Sequence, residues 1–254
     1  MLRSFSYSLL ITCFLLTTSC KTNFVPTSFD TQNISVSSND NQLDSQVVQI
    51  YLPFKNDLEK DMGRVISISD KEMAKQRPES YLTNFLADML LIEAKVEAET
   101  SNLNLTPTIS YLNYGGIRTF LPEGKITVGN IFELMPFENE MVYLELSGTQ
   151  IQEFLNHIAD KGGDCIGGAR FIISNEKAIN IKIEGITLDL DKKYWLVTND
   201  YVADGGDGLT VFTQRSELVK SGRKIRDIII AHLEEKHKKG EILSVELDGR
   251  ITNE

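Results

Sequence analysis

Histidine and cysteine are scarce, three of each in 254 residues. His157 falls in an amphipathic stretch, His232 lies on an apolar stripe near the C-terminus, and His237 belongs to the basic run Lys236 to Lys239. No Asp-x-His or Gly-Asn-His element occurs. A two-metal hydrolytic centre needs several Asp, His and Asn ligands around its ions, so no metal ligand and no cofactor is assigned to this chain. Cys13 and Cys20 sit near the N-terminus and leave Cys165, read as a small packed residue in a Gly-rich loop, without a partner, which excludes a disulfide framework. Nothing pairs Cys165 or a serine with a histidine by local motif, so no catalytic nucleophile is assigned either. Basic residues are also in deficit, 26 against 36 acidic for a net charge of −10. Backbone binding to nucleic acid needs a basic footprint, and the chain lacks one.

Long apolar runs are missing too. The one near the N-terminus, Leu9 to Leu16, follows Arg3 and is broken by Thr12; it is too short to span a bilayer but suits the core of a secretion signal. It closes on Thr17-Thr18-Ser19-Cys20, which resembles a bacterial lipoprotein processing site with its leucine one place further from the cysteine than usual. Residues 1–19 are therefore expected to be a signal peptide and Cys20 to carry lipid, placing the protein in a bacterial cell envelope, membrane-anchored, periplasmic or on the outer surface. Residues 20–43 are rich in Ser, Thr, Asn and Asp and cannot bury enough surface to order themselves; they read as a tether. Residues 44–254 are left as the folded body.

Within that body, Val47, Ile50, Tyr51, Phe54, Leu58 and Met62 recur at helical spacing, with Pro53 set to kink the helix or to open a second one. A short strand follows at Val65 to Ile68, then a helix with Leu82, Phe85, Leu86, Met89 and Leu90 on one face. Strand-like runs occur at Thr108 to Leu112, Met141 to Leu146, Arg170 to Ser174, Ala178 to Glu184 and Tyr194 to Thr198. Ser147 and Gln150 have the form of a capping box before the stripe Ile151, Phe154, Leu155 and Ile158. An amphipathic helix around Ile225 to Leu233 leads to a polar tail. Irregular mixing of the two element types predicts an α+β single domain, a mixed β-sheet packed by helices.

Two stretches stand apart. Asn113-Tyr114-Gly115-Gly116-Ile117-Arg118 comes where a strand runs out. Its glycines let the backbone approach a ligand, Asn113 offers an amide that donates and accepts, and Arg118 offers a planar fork suited to phosphate or carboxylate. Taken alone, these residues are equally an ordinary turn. The second, Asn199-Asp200-Tyr201 through Asp204-Gly205-Gly206-Asp207-Gly208, again follows an apolar strand and brings an aromatic, carboxylates and glycines together.

Together with Pro136-Phe137, the helix entered at Leu146-Ser147-Gly148 and the terminal Asp248-Gly249-Arg250-Ile251, these stretches resemble the C-terminal domain of the 5′-nucleotidase family. The match runs in order from about Asp44 to Ile251. In that family a metal-bearing N-terminal domain cuts the phosphate ester and this domain holds the nucleotide. The resemblance implies that Phe137 and Tyr201 sandwich the base, that Asn113, Gly116 and Arg118 meet the phosphate and sugar end, and that Asp207 takes the ribose hydroxyls. Arg77 is the candidate for an arginine expected upstream, and Thr83-Asn84 stands where the family usually has Gly-Asn. Asn84 and Asp88 match the family's helix, and a solvated or capping role fits them as well. The ligand implied is a nucleoside 5′-phosphate or nucleoside. With the metal-bearing half absent, divalent metals are expected on a separate metallophosphatase subunit acting with this chain; a free-standing nucleotide- or nucleoside-binding lipoprotein is the other reading.

Overall fold

The computed structural model describes residue 33 and residues 44–254. The expected signal peptide, Cys20 and, apart from residue 33, the tether lie outside the described residues. The first described helix, α1 (Ser45–Met62), runs through Pro53 with no break in its assigned span. None of its residues is buried: Phe54 is 75% exposed and Leu58 56%, so the apolar periodicity in the sequence marks a helix and not a core face.

The compact body spans Tyr51–Glu254. β1 (Val65–Ser69) pairs antiparallel with β3 (Gly124–Thr127). Between them come α2 (Tyr81–Thr100), β2 (Pro107–Leu112) and a single 3-10 turn at Tyr114–Gly116. α3 (Val128–Leu134) leads to β4 (Glu140–Ser147) and α4 (Gly148–Asp160). Four strands follow: β5 (Cys165–Gly167), β6 (Ala169–Ser174), β7 (Lys177–Ile183) and the two-residue β8 (Ile186–Thr187). β9 (Lys193–Asn199), the one-turn α5 (Asp200–Ala203), two 3-10 turns, β10 (Glu217–Lys224), α6 (Ile225–Lys238) and β11 (Ile251–Asn253) complete the chain. The expected mixed α+β architecture is observed, with Cys165 in a buried strand and not in a loop.

The central sheet has the order β10-β4-β9-β2-β5. Among the described residues its only parallel pair is β2 with β9, with Ser110 opposite Val197. Alternation along these strands feeds two hydrophobic layers, as a period of two requires. Leu112, Tyr143 and Val197 face a layer built with α2, α3 and α6. Tyr111, Val142, Leu144 and Leu196 face a second layer with α4 and the β11-β6-β7-β8 sheet. The sheet is thus covered on both faces, and its ends are left to hold a ligand.

Caps fix where the helices begin. Ser147 Oγ accepts from Gln150 N, and Gln150 Oε1 accepts from Ser147 N at 2.8 Å, closing the predicted capping box at α4. α2 opens with Ser80 and Thr83 exchanging the same bonds, Ser80 N donating to Thr83 Oγ1 at 2.8 Å. Each such cap is worth about 1 kcal/mol.

Candidate functional site

β2 and β9 run in parallel and therefore release their following loops at the same end of the sheet. Asn113 leaves β2 there, and Asn199 ends β9. A cleft of about 620 Å³ opens at this corner, lined by Asn113, Gly115, Gly116, Arg118, Phe137, Glu138, Asn139, Tyr201 and Asp207. Six of the seven residues picked out from sequence as binding ligand converge on it. The seventh, Arg77, does not line it: its guanidinium covers the ring of Tyr114, 4.4 Å from the centroid.

The first wall is the Gly-Gly turn. Gly116 N donates to Asn113 O at 2.9 Å, and a Cβ on Gly116 would come within 2.9 Å of Asn113 Oδ1, so a side chain there would crowd the amide. Lys75, unmarked by any motif, braces the turn from behind: its Nζ donates to Tyr114 O at 2.9 Å and Ile117 O at 2.5 Å, and it sits over the Tyr114 ring. Burial, followed by the nearby Arg118 guanidinium, pulls the Lys75 ammonium below its ordinary pKa. Arg118 is exposed and donates from Nη1 to Gly115 O at 3.0 Å, leaving other donors of its fork toward the cleft. Lys75, Arg77 and Arg118 make this side electropositive within an acidic protein.

The second wall comes from the segment after β9. Asn199 Oδ1 accepts from Val202 N at 2.9 Å and so caps α5, the turn that carries Tyr201. Asp207 takes a left-handed backbone, φ 54°, between two glycines, a conformation that aspartate tolerates better than most residues. Its Oδ2 accepts from Asn113 Nδ2 at 2.7 Å and its Oδ1 from the Tyr201 hydroxyl at 3.0 Å. Lys161, at the end of α4, donates to its backbone carbonyl at 3.0 Å. Each carboxylate oxygen keeps unused acceptor capacity for a pair of hydroxyls. Phe137 at 44% exposure and Tyr201 at 49% are the aromatic side chains that line the cleft. Aromatic side chains usually bury their faces, so two half-exposed rings in one cleft form a surface on which a planar group can stack.

Asp164, 4% exposed, accepts from the Tyr111 hydroxyl at 3.2 Å and from Cys165 N at 2.8 Å. Burial raises its pKa to about 6. Asn84 and Asp88 belong to a different structure. Asn84 Nδ2 donates to Glu79, which accepts from Gly249 N, and Asp88 takes both terminal nitrogens of Arg250 at 2.7 Å. These residues fasten the C-terminal segment through buried Arg250 and Ile251, while Asp248 and Gly249 beside them stay exposed. His232 is buried and hydrogen-bonded through Nδ1 to Glu93 at 2.7 Å. Among the described residues no three metal-ligating side chains converge, and no helix is long and apolar enough to cross a membrane.

Over 219 residues the chain is 32% identical to the trifunctional nucleotide phosphoesterase protein YfkN of Bacillus subtilis, covering 78% of this chain and 14% of that protein. It is 26% identical to protein UshA of Yersinia enterocolitica over 75% of this chain and 34% of that one. The crystal structure of a 5′-nucleotidase precursor from Thermus thermophilus superposes with a TM-score of 0.67 at 25% identity, over 81% of this chain and 42% of that chain. The Haemophilus influenzae NAD nucleotidase shares the fold at a TM-score of 0.60 and 16% identity, over 83% of this chain and 42% of that chain. The chain thus spans less than half the length of each of these relatives. The profile of the 5′-nucleotidase C-terminal domain matches residues 60–214, and the chain belongs to that family.

Proposed function

We propose that this protein is a nucleotide-holding subunit: it takes a nucleoside 5′-phosphate in the corner cleft and presents it to a separate metallophosphatase chain, which supplies the divalent ions and performs hydrolysis. The base stacks between Phe137 and Tyr201, the ribose hydroxyls meet Asp207, and the phosphate end lies toward Arg118 and the Gly115-Gly116 turn beside Asn113. The observation that carries this reading is the convergence on one cleft of a guanidinium, a carboxylate and two half-exposed rings from chain segments far apart in sequence. Stacking on an aromatic face is worth roughly 1–3 kcal/mol per base and tolerates different bases. A lipid on Cys20 would hold the subunit at the envelope membrane.

Titration calorimetry with AMP and adenosine tests it. Tyr201→Ala and Phe137→Ala are each expected to weaken both ligands about 5- to 150-fold, the affinity equivalent of one stack. Arg118→Ala weakens AMP far more than adenosine. A wild-type protein that binds neither at millimolar concentration overturns the assignment. Hydrolysis of AMP by the purified chain with Mn²⁺ or Zn²⁺ alone overturns the division of labour.

A further inference from the structure

We propose that Asn199 is a positioning residue that sets the hydrogen-bond polarity of the corner, and so decides how the Asp207 carboxylate is aimed at the ligand; this rests on the nucleotide reading above. Asn199 is 2% exposed and Asn113 5%, so the bond between the two amides is shielded from water. The Val202 backbone N–H can only donate, and it donates to Asn199 Oδ1 at 2.9 Å. That leaves Asn199 Nδ2 to face Asn113, whose Oδ1 accepts at 3.1 Å. Asn113 must then turn its own Nδ2 outward, and it donates to Asp207 Oδ2 at 2.7 Å.

Every link runs in one direction, from a backbone donor that cannot accept to a carboxylate whose two oxygens both accept. Both ends of the chain demand the same orientation of both amides, which makes it self-consistent. Reversing one amide alone would set oxygen against oxygen or N–H against N–H across the buried Asn199–Asn113 link. The Tyr201 hydroxyl holds the other oxygen of Asp207 at 3.0 Å, and Tyr201 itself sits on the turn that Asn199 caps. One buried amide thus positions both the carboxylate and the ring, although it does not line the cleft.

Asn199→Asp separates capping from polarity. Aspartate caps a helix as well as asparagine does, so α5 is retained, but the second carboxylate oxygen now faces Asn113. Asn113 flips to donate to it and turns Oδ1 on Asp207, setting acceptor against acceptor. Asp207→Asn in that background supplies a donor at the far end and restores a continuous relay running the other way. The experiment uses the full chain, with adenosine as the probe and wild type, Asn199→Asp, Asp207→Asn and the double variant. Asn199→Asp is expected to bind adenosine at least tenfold more weakly, with an unchanged circular dichroism spectrum. The double variant is expected to bind no more weakly than the weaker single, where independent defects would multiply. Asn199→Ser, which caps without imposing the wrong polarity, is expected to lose less than Asn199→Asp; the reverse order overturns the proposal.

Side-chain amide NMR judges the relay without any ligand. An Asn113 Nδ2 resonance that stays protected from exchange but moves in Asn199→Asp, and that Asp207→Asn shifts in the wild-type background but not in the Asn199→Asp background, supports it, because its acceptor has changed from Asp207 to residue 199. An Asn113 Nδ2 resonance that stays in place in Asn199→Asp overturns it, as does adenosine affinity in Asn199→Asp within twofold of wild type. If wild type binds no adenosine while the amide signals behave as stated, the nucleotide reading fails and the relay stands.

Discussion

At the residue scale, the site depends on atoms that never touch a ligand. Gly206 packs against Tyr201: a Cβ there would lie 2.5 Å from Cε1 of the ring and 2.6 Å from the Tyr201 carbonyl. Gly206→Ala is therefore expected to push the ring off its seat, matching Tyr201→Ala in lost adenosine affinity while the ring's chemistry is unchanged; calorimetry compares the two. Asp164 gives a pH signature. Its folded pKa of about 6 lies above the ordinary aspartate value of 3.8, so between those limits the folded state holds the extra proton. Stability contributed by this group is present below about pH 4, falls as pH rises to about 6, and is then constant. Asp164→Asn removes the effect, and urea titrations at pH 4 and pH 7 are expected to show wild type losing on the order of 2 kcal/mol relative to the variant. Asn113, Arg118, Phe137, Tyr201 and Asp207 were legible in the sequence because glycine pairs and a proline mark them. Asn199 was visible as part of its motif but without a role, and Lys75, Asp164 and Lys161 were not marked at all, since each acts through a fold-dependent contact with a residue distant in the chain or with a backbone atom.

At the element scale, capping boxes and alternation announced α4, β4 and β9, whereas β5, β8 and β10 are strands by pairing alone and carry no periodic signal of their own. α1 shows where periodicity stops being informative, since its spacing marks a helix without saying what would cover it. Its exposed groups predict tolerance: Phe54→Glu and Leu58→Glu are each expected to change unfolding free energy by no more than about 0.5 kcal/mol, the usual range for exposed sites, as read by urea denaturation. The C-terminal segment is the opposite case. Arg250 is 6% exposed and bonded to Asp88, Asp248 and the Ile166 carbonyl, and β11 pairs with β6 just beyond it. Removing one partner of a buried ion pair strands the other. Because the Asp88 side chain is 47% exposed, Arg250→Ala is expected at the lower end of that range, about 3 kcal/mol, seen as a fall in Tm of roughly 6–12 °C.

At the scale of the whole body, residues 51–254, the two hydrophobic layers share one sheet, with Val197 in one and its neighbour Leu196 in the other. The layers cannot melt separately without exposing a face of the same strands. A single cooperative transition is expected, with calorimetric and van't Hoff enthalpies in agreement. AMP at a hundred times its Kd should add about 2.7 kcal/mol to its stability, a gain that Tyr201→Ala reduces at fixed ligand concentration. The parallel pairing of β2 and β9 also imposes a schedule. Their corner joins Asn113 to partners 86 and 94 residues later in the chain, so a growing polypeptide displays its arginine and glycine turn long before the ribosome delivers the tyrosine and aspartate that complete the clasp. On the proposed reading, nucleotide present during translation can act as a template only after Asn199 and Asp207 have been made, and chains released before Asn199 should emerge blind to it.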